Sequence, residues 1–271
     1  MQTANVDASA GESRGSLVIV GTGIRSVAQT TIEARNHMEQ AEKLFYLVAE
    51  PVTEAWIRKL NSTAETLQDC YEEGKLRIET YREMIRRVLE PVRQGTRVCW
   101  ALYGHPGVFV YPSHEAIRQA REEGLPAAML PGVSAEDCLF ADLGVDPALN
   151  GCQSFEATDF LVKDRQIDPT SDLILWQIGI IGEVTYKTAN FYKREGLRLL
   201  VRRLQKHYPS DHDVTLYEAS QYVVTDPVIQ TLTLAELAEA DPSGIATLYV
   251  PPVPARPLDP DALDILGLTP A

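Results

Sequence analysis

The stretch Tyr71-Glu-Glu-Gly-Lys-Leu-Arg77-Ile-Glu-Thr-Tyr81 carries two phenols and a guanidinium at spacings suited to proton chemistry. An amphipathic pattern from Arg77 to Gln94 predicts a long helix, with Ile78, Tyr81, Ile85, Val88, Leu89 and Val92 in one apolar stripe. Pro91 falls in its last turns and Gly95 stops it. Arg77 and Tyr81 are four apart and share a face of that helix. Tyr71 lies on the loop before it and can fold over the same spot. A phenol ionises near pH ~10, and a neighbouring cation favours the phenolate. Such a set is a candidate strong base. The same residues also have a plain reading. Tyr81 sits on the apolar stripe, where a core tyrosine belongs, and Arg77 alone would be a surface charge.

Three Gly-rich turns could receive a ligand. The first is Gly21-Thr-Gly23-Ile-Arg-Ser26, after an apolar run. It has only G-x-G, with Ser26 in place of the third glycine of a dinucleotide fingerprint. Glu50, the only acid soon after the next strand, comes late, which weakens an NAD reading. The second is Tyr103-Gly-His-Pro-Gly-Val-Phe109, where two glycines and a proline fix a loop that lets backbone approach a ligand. His105 could act as a base there, although a lone loop histidine more often packs or hydrogen-bonds. The third is Leu130-Pro-Gly-Val-Ser-Ala-Glu136, where Ser134 is a helix cap or part of an anion-tolerant helix start at Ala135. Neither GxxxxGK[ST] nor GxSxG occurs.

These turns need strands behind them. Ser16–Val20, Lys43–Leu47, Arg97–Leu102 and a short run to Leu130 read as buried strands. Helices are expected at about Val27–Ala41, Arg77–Gln94 and Ser113–Glu123 between them. That alternation predicts an α/β fold with a parallel sheet. In the second half, Asp172–Trp176, Asp213–Tyr217, Gln230–Leu234 and Ile245–Val250 read as strands, and Leu197–His207 as a helix. The expected organisation is a flexible lead-in over 1–15, an N-terminal α/β domain over 16–150, a C-terminal α/β domain over 151–252 and a proline-rich tail over 253–271.

The 271 residues carry a formal charge of −13, most of it in the body of the chain. An acidic body repels duplexes and anionic membranes, so nucleic acid and membrane partners are not expected. No apolar stretch approaches the ~20 residues of a membrane span, and the polar N-terminus does not read as a signal peptide. A cytoplasmic protein is expected. Cys70, Cys99, Cys138 and Cys152 show no CxxC spacing, and the histidines at 37, 105, 114, 207 and 212 no HxxxH, so no metal site is expected.

The order GTG, GHPG and PGVSAED resembles the tetrapyrrole-methylase superfamily of S-adenosylmethionine (SAM) enzymes. The longer segments Gly15–Ile24, Tyr103–Phe109, Leu130–Leu143, Phe155-Glu-Ala157, Leu175–Gly179 and Tyr249–Pro252 resemble the borosin peptide α-N-methyltransferases. The resemblance runs from about Gly15 to Pro252. It implies two α/β domains with SAM in the cleft between them. It implies cofactor contacts at Tyr103, His105, Val108, Phe109, Ser134, Ala135 and Gln177, and near the adenine at Val214, Ala246 and Thr247. The family's catalytic tyrosine–arginine–tyrosine set maps onto Tyr71, Arg77 and Tyr81. By that mapping Tyr81 is the base, with Arg77 favouring its ionised form and Tyr71 orienting the amide, although the two tyrosine roles could be exchanged. An aromatic of some relatives is Gln68 here, so that wall of the pocket differs.

Fungal members carry their substrate peptide at the C-terminus, whereas few residues follow Pro252. The split bacterial type is therefore expected, a homodimer acting on a separate precursor peptide with a leader domain, or a heterotetramer with two precursors. The rivals are a tetrapyrrole methylase proper or diphthine synthase, which would not require the Tyr71/Arg77/Tyr81 set, and a SAM-sensing or peptide-binding module without turnover.

Overall fold

The computed structural model describes residues 14–48, 50–188, 194–254 and 258–268. Most of the lead-in expected over 1–15 and parts of the segment expected as a tail lie outside the described residues.

The chain divides into two units. The first holds residues 14–139 together with Val184–Thr188 and Ala219–Asp226. Its sheet is built from β1 (Ser16–Gly21), β2 (Lys43–Leu47), β3 (Glu65–Thr66), β4 (Arg97–Leu102) and β5 (Ala127–Met129), in the order β3-β2-β4-β1-β5 with every pair parallel. β1, β2 and β4 are largely apolar, because parallel strands covered by helices face apolar neighbours on both sides. Leu17, Ile19, Val20, Val98, Trp100 and Ala101 are essentially inaccessible. The helices are α1 (Ile32–Gln40), α2 (Pro51–Leu60), α3 (Arg77–Arg93), α4 (Tyr111–Glu122) and α5 (Ala135–Leu143), the last of which runs on into the second unit.

Two helices depart from expectation. The helix expected from Val27 starts at Ile32. Gln29 Oε1 accepts from the backbone N–H groups of Ile24 and Arg25 and holds the preceding residues as a turn, and the Thr31 hydroxyl caps the helix at Ala34 N. α2 was not anticipated, yet its start signals are in the sequence. Glu50 accepts from Val52 N at 2.7 Å and Thr53 N at 2.8 Å, and Pro51 stands at the first helical position. Burial pushes the Glu50 carboxyl up, but hydrogen bonds from Thr53, Ser26 and Val52 outweigh it and hold the group below its usual range. The acid weighed as a ribose ligand is a helix cap.

The second unit comprises α6 (Pro147–Asn150), β6 (Cys152–Glu156), α7 (Ala157–Val162), β7 (Asp172–Trp176), α8 (Arg194–Leu204), β8 (Asp213–Glu218), β9 (Val228–Thr233), α9 (Leu234–Leu237), β10 (Thr247–Val250) and α10 (Pro260–Leu266). Its sheet is mixed, in the order β6-β7-β10-β8-β9, with only β6–β7 parallel. α8 packs Leu197, Leu200, Val201 and Leu204 into the core. β6 and α10 were not anticipated. Cys152-Gln-Ser-Phe-Glu156 is too polar to read as a strand, and α10 buries no residue.

Asp172 is 2% exposed, and the Tyr249 hydroxyl donates to its Oδ1 at 2.6 Å. Burial and that hydrogen bond push the Tyr249 phenol up. Tyr249→Phe strips a buried carboxylate of this donor and is expected to lower unfolding stability by about 2 kcal/mol, read by chemical denaturation. No helix among the described residues is long and apolar enough to cross a membrane.

Candidate functional site

The three Gly-rich turns converge in the first unit. Gly23 and Gly104 form an antiparallel bridge, with Gly104 N donating to Gly23 O at 3.0 Å. A methyl placed on Gly21 would lie 2.2 Å from the Gly104 carbonyl oxygen, and one on Gly132 would lie 3.1 Å from that same oxygen. Gly23 and Gly104 hold φ of +75° and +70°, which side chains resist. The turns follow β1, β4 and β5, at the carboxyl ends of parallel strands, where open α/β sheets receive ligands. The glycines let the three turns pack backbone against backbone, with no side chain between them.

The loop after β4 is pinned from within. Gly107 N donates to His105 Nδ1 at 2.9 Å, and the His114 ring bonds the Gly107 carbonyl oxygen at 2.8 Å. The Ser113 hydroxyl donates to Val110 O at 2.8 Å and also to Pro106 O. One nitrogen of His105 is thus committed to its own loop. Val108 is half-buried. Phe109 holds φ +54° and is 45% exposed. Tyr103 is half-buried, and burial pushes its phenol up to about 12 although a hydrogen bond with Gln221 pulls it down. The unfolded chain loses this proton near pH ~10. Stability is therefore lost as pH rises from about 10 towards 12. Tyr103→Phe should flatten that decline, measured by denaturant titration at about pH 8 and about pH 11.

Ser134 and Ala135 stand at the start of α5. Asp137 N donates to the Ser134 hydroxyl at 3.1 Å, and Asp137 Oδ2 accepts from Ser134 N and from the hydroxyl, each at 2.7 Å. The capping role is therefore filled by a reciprocal pair.

Tyr71, Arg77 and Tyr81 gather on one side of α3. Tyr71 follows a short helical turn at Gln68–Cys70 and packs against the core beneath α3. Lys75 Nζ ties the intervening loop down, donating to Cys70 O at 2.9 Å and pairing with Glu83 at 2.5 Å. Arg77 is the first residue of the helix, and its Nε donates to Thr185 O at 3.3 Å. Tyr81 is half-buried against the same core, its ring 6.3 Å from that of Tyr111. The rest of the expected stripe is buried except Ile78, which is 36% exposed. The Tyr71 phenol is pushed well above its ordinary range, first by burial and then by the Tyr81 charge, while Arg77 pulls it down. Each member of the set therefore bears on Tyr71. Sequence reasoning missed Tyr186, whose ring lies 4.7 Å from that of Tyr71, Tyr111 beside Tyr81, and Gln221, the hydrogen-bond partner of Tyr103. Tyr111 sits just past the GHPG loop and was within reach of a sequence argument. Tyr186 and Gln221 carry no local signal.

In the second unit, Gln177 follows β7 in the left-handed region at φ +60°. The next residue, Ile178, donates its N–H to Ala246 O at 3.2 Å, so Gln177, Ala246 and Thr247 are neighbours. Val214 is not among them. Thr247 pairs with Tyr217, and Val214 lies three residues back along β8, roughly 10 Å away. Its side chain is 1% exposed and packed in the core, as is that of Ala246.

The sequence model of the tetrapyrrole (corrin/porphyrin) methylases matches residues 16–238. The chain belongs to this family. It is 43% identical over 261 residues to a methyltransferase/ribosomally synthesized cyclic peptide dendrothelin A precursor of Dendrothele bispora, covering 95% of this chain and 62% of that protein. Identity and coverage are the same for the omphalotin A counterpart of Omphalotus olearius. A methyltransferase/type I borosin cyclic peptide precursor of Serendipita vermifera is 41% identical over 264 residues, covering 95% and 64%. The methylase-family chain thus spans about three-fifths of the length of these relatives. The uroporphyrin-III-C-methyltransferase of Thermus thermophilus superposes with a TM-score of 0.60 at 19% identity, over 88% of this chain and 92% of that one, and shares the fold.

Proposed function

We propose that this methylase-family chain methylates backbone amide nitrogens of a ribosomally made precursor peptide, with SAM as donor. The observation that carries the reading is the set around Tyr71. Two phenols and a guanidinium, from a loop and a helix start, bear on one another at the edge of a hydrophobic core. The printed names of the relatives, methyltransferases joined to cyclic peptide precursors, support the same substrate class.

The chemistry explains why such a set is needed. An amide nitrogen has its lone pair delocalised into the carbonyl and gives up its proton reluctantly. SAM, when bound, supplies an electrophilic methyl group. The residues of the first unit that would hold it are Tyr103, His105, Val108, Phe109, Ser134 and Ala135. Tyr81, as its phenolate, takes the amide proton and becomes the phenol. Negative charge then moves onto the amide oxygen, where the Tyr71 hydroxyl donates a hydrogen bond. Burial raises the Tyr71 phenol well above its ordinary range, which suits a donor better than a base. Arg77 balances the charge that forms.

The proposal includes a precursor presented as a separate molecule to a homodimer of this chain. Sedimentation of the chain alone and with a precursor peptide tests that assembly. A mass increment of one methylene on the peptide, dependent on SAM, tests the chemistry, and a peptide that stays unmodified would overturn it.

A further inference from the structure

Tyr71 and Arg77 are both held by one short strap from far along the sequence. Val184–Thr188 lies antiparallel to Glu73–Arg77, with Leu76 and Thr185 bridged. Arg77 N donates to Val184 O, Gly74 N to Tyr186 O and Tyr186 N to Lys75 O, each at 2.9 Å. Thr188 N donates to a Glu73 carboxylate oxygen at 2.7 Å. Two consequences follow. The α3 start has no side-chain cap, so the Val184 carbonyl serves one of its open N–H groups, and the Thr185 carbonyl takes the Arg77 guanidinium across a separation of 108 residues. The Tyr186 ring is set against that of Tyr71, centroids 4.7 Å apart and planes tilted by 37°. That is a favourable offset aromatic contact, and it covers one side of the Tyr71 phenol.

We propose that Tyr186 is a positioning residue of the methyl-transfer site, fixing the orientation of the Tyr71 hydroxyl and its shielding from water while the strap that carries it fixes Arg77. The proposal rests on the catalytic reading of Tyr71, Arg77 and Tyr81. Catalysis by these groups needs the donor and the cation held to within about an ångström, and misplacement on that scale costs on the order of a hundredfold in rate. A strap that grips the loop by backbone and the phenol by a ring supplies that restraint. The groups that bear electrostatically on Tyr71 are Tyr81, Arg77, Tyr186 and Cys70, and burial outweighs them all. Removing the Tyr186 ring admits water, so Tyr71 should ionise at lower pH.

The test uses the full chain with Tyr186→Leu and Tyr186→Phe, alongside Arg77→Ala. Tyrosine ring carbons, followed by NMR against pH, report the ionisation of Tyr71, assigned by its loss in Tyr71→Phe. Turnover is followed with SAM and the precursor part of the Omphalotus olearius relative as a separate peptide. Tyr186→Phe should leave both readouts near wild type, because the ring remains. Tyr186→Leu should lower the Tyr71 ionisation point, lower kcat by roughly 10- to 100-fold with KM little changed, and move the alkaline limb of the kcat profile to lower pH. Unaltered Tyr71 ionisation in Tyr186→Leu overturns the proposal whatever the turnover. If Arg77→Ala abolishes transfer while Tyr186→Leu runs at the wild-type rate, the positioning role alone fails. If Arg77→Ala retains transfer, the catalytic reading fails and the positioning role falls with it.

Discussion

Arg77→Ala and Tyr81→Phe are each expected to reduce methyl transfer by ~10²–10⁴-fold, the range over which a positioned acid or base accelerates a reaction. SAM should still bind both variants, because neither residue lies on the Gly21, Gly104 or Gly132 turns. Tyr81→Phe removes only a hydroxyl from a half-buried ring, so the packing against Tyr111 and the α3 core survives. Arg77→Ala removes the cation that pulls the Tyr71 phenol down against its burial, and also the hydrogen bond to Thr185 O. It should therefore raise Tyr71 further. Calorimetric titration of SAM beside a peptide mass-shift assay separates the two effects. Retained SAM affinity with lost transfer supports the assignment, and near-normal transfer in either variant would sink it.

Gly21→Ala is expected to cost the chain both stability and cofactor. The added methyl would meet the Gly104 carbonyl oxygen at 2.2 Å and Pro106 Cδ at 2.9 Å. The first is backbone, bridged to Gly23, and cannot swing aside as a flexible side chain would. Overpacking of this kind costs about 1–3 kcal/mol, and fixed backbone puts the expected loss at the upper end. Gly132→Ala gives the milder counterpart, since its nearest contacts are at 3.1 Å and a shift of a few tenths of an ångström relieves them. Thermal melts should therefore rank wild type above Gly132→Ala above Gly21→Ala, with SAM affinity falling in the same order. Wild-type SAM binding by a folded Gly21→Ala chain would show that these turns do not form the cofactor floor.

Much of this could be read from the residues. The largely apolar runs at Ser16–Val20, Lys43–Leu47 and Arg97–Leu102 announce buried parallel strands, because covering helices on both faces demand such sequences. The α3 stripe was legible from its period, and with it the shared face of Arg77 and Tyr81. What escaped notice was mostly capping and distance. α1 starts late because Gln29 and Thr31 organise the residues before it, and α2 starts on a Glu50 carboxylate that looked like a failed ligand. β6 is polar enough to pass for a loop. Tyr186 was out of reach altogether, since no local pattern announces a ring that packs on Tyr71 from the other half of the chain.

The central claim is that the acceptor is a peptide backbone nitrogen. The most direct measurement offers the chain SAM together with, in separate reactions, uroporphyrinogen III and the precursor part of the Omphalotus olearius relative as a free peptide, and locates any transferred methyl by tandem mass spectrometry. The account predicts methylene increments on backbone nitrogens of the peptide and none on the macrocycle. Methylation of the macrocycle with the peptide untouched would contradict it.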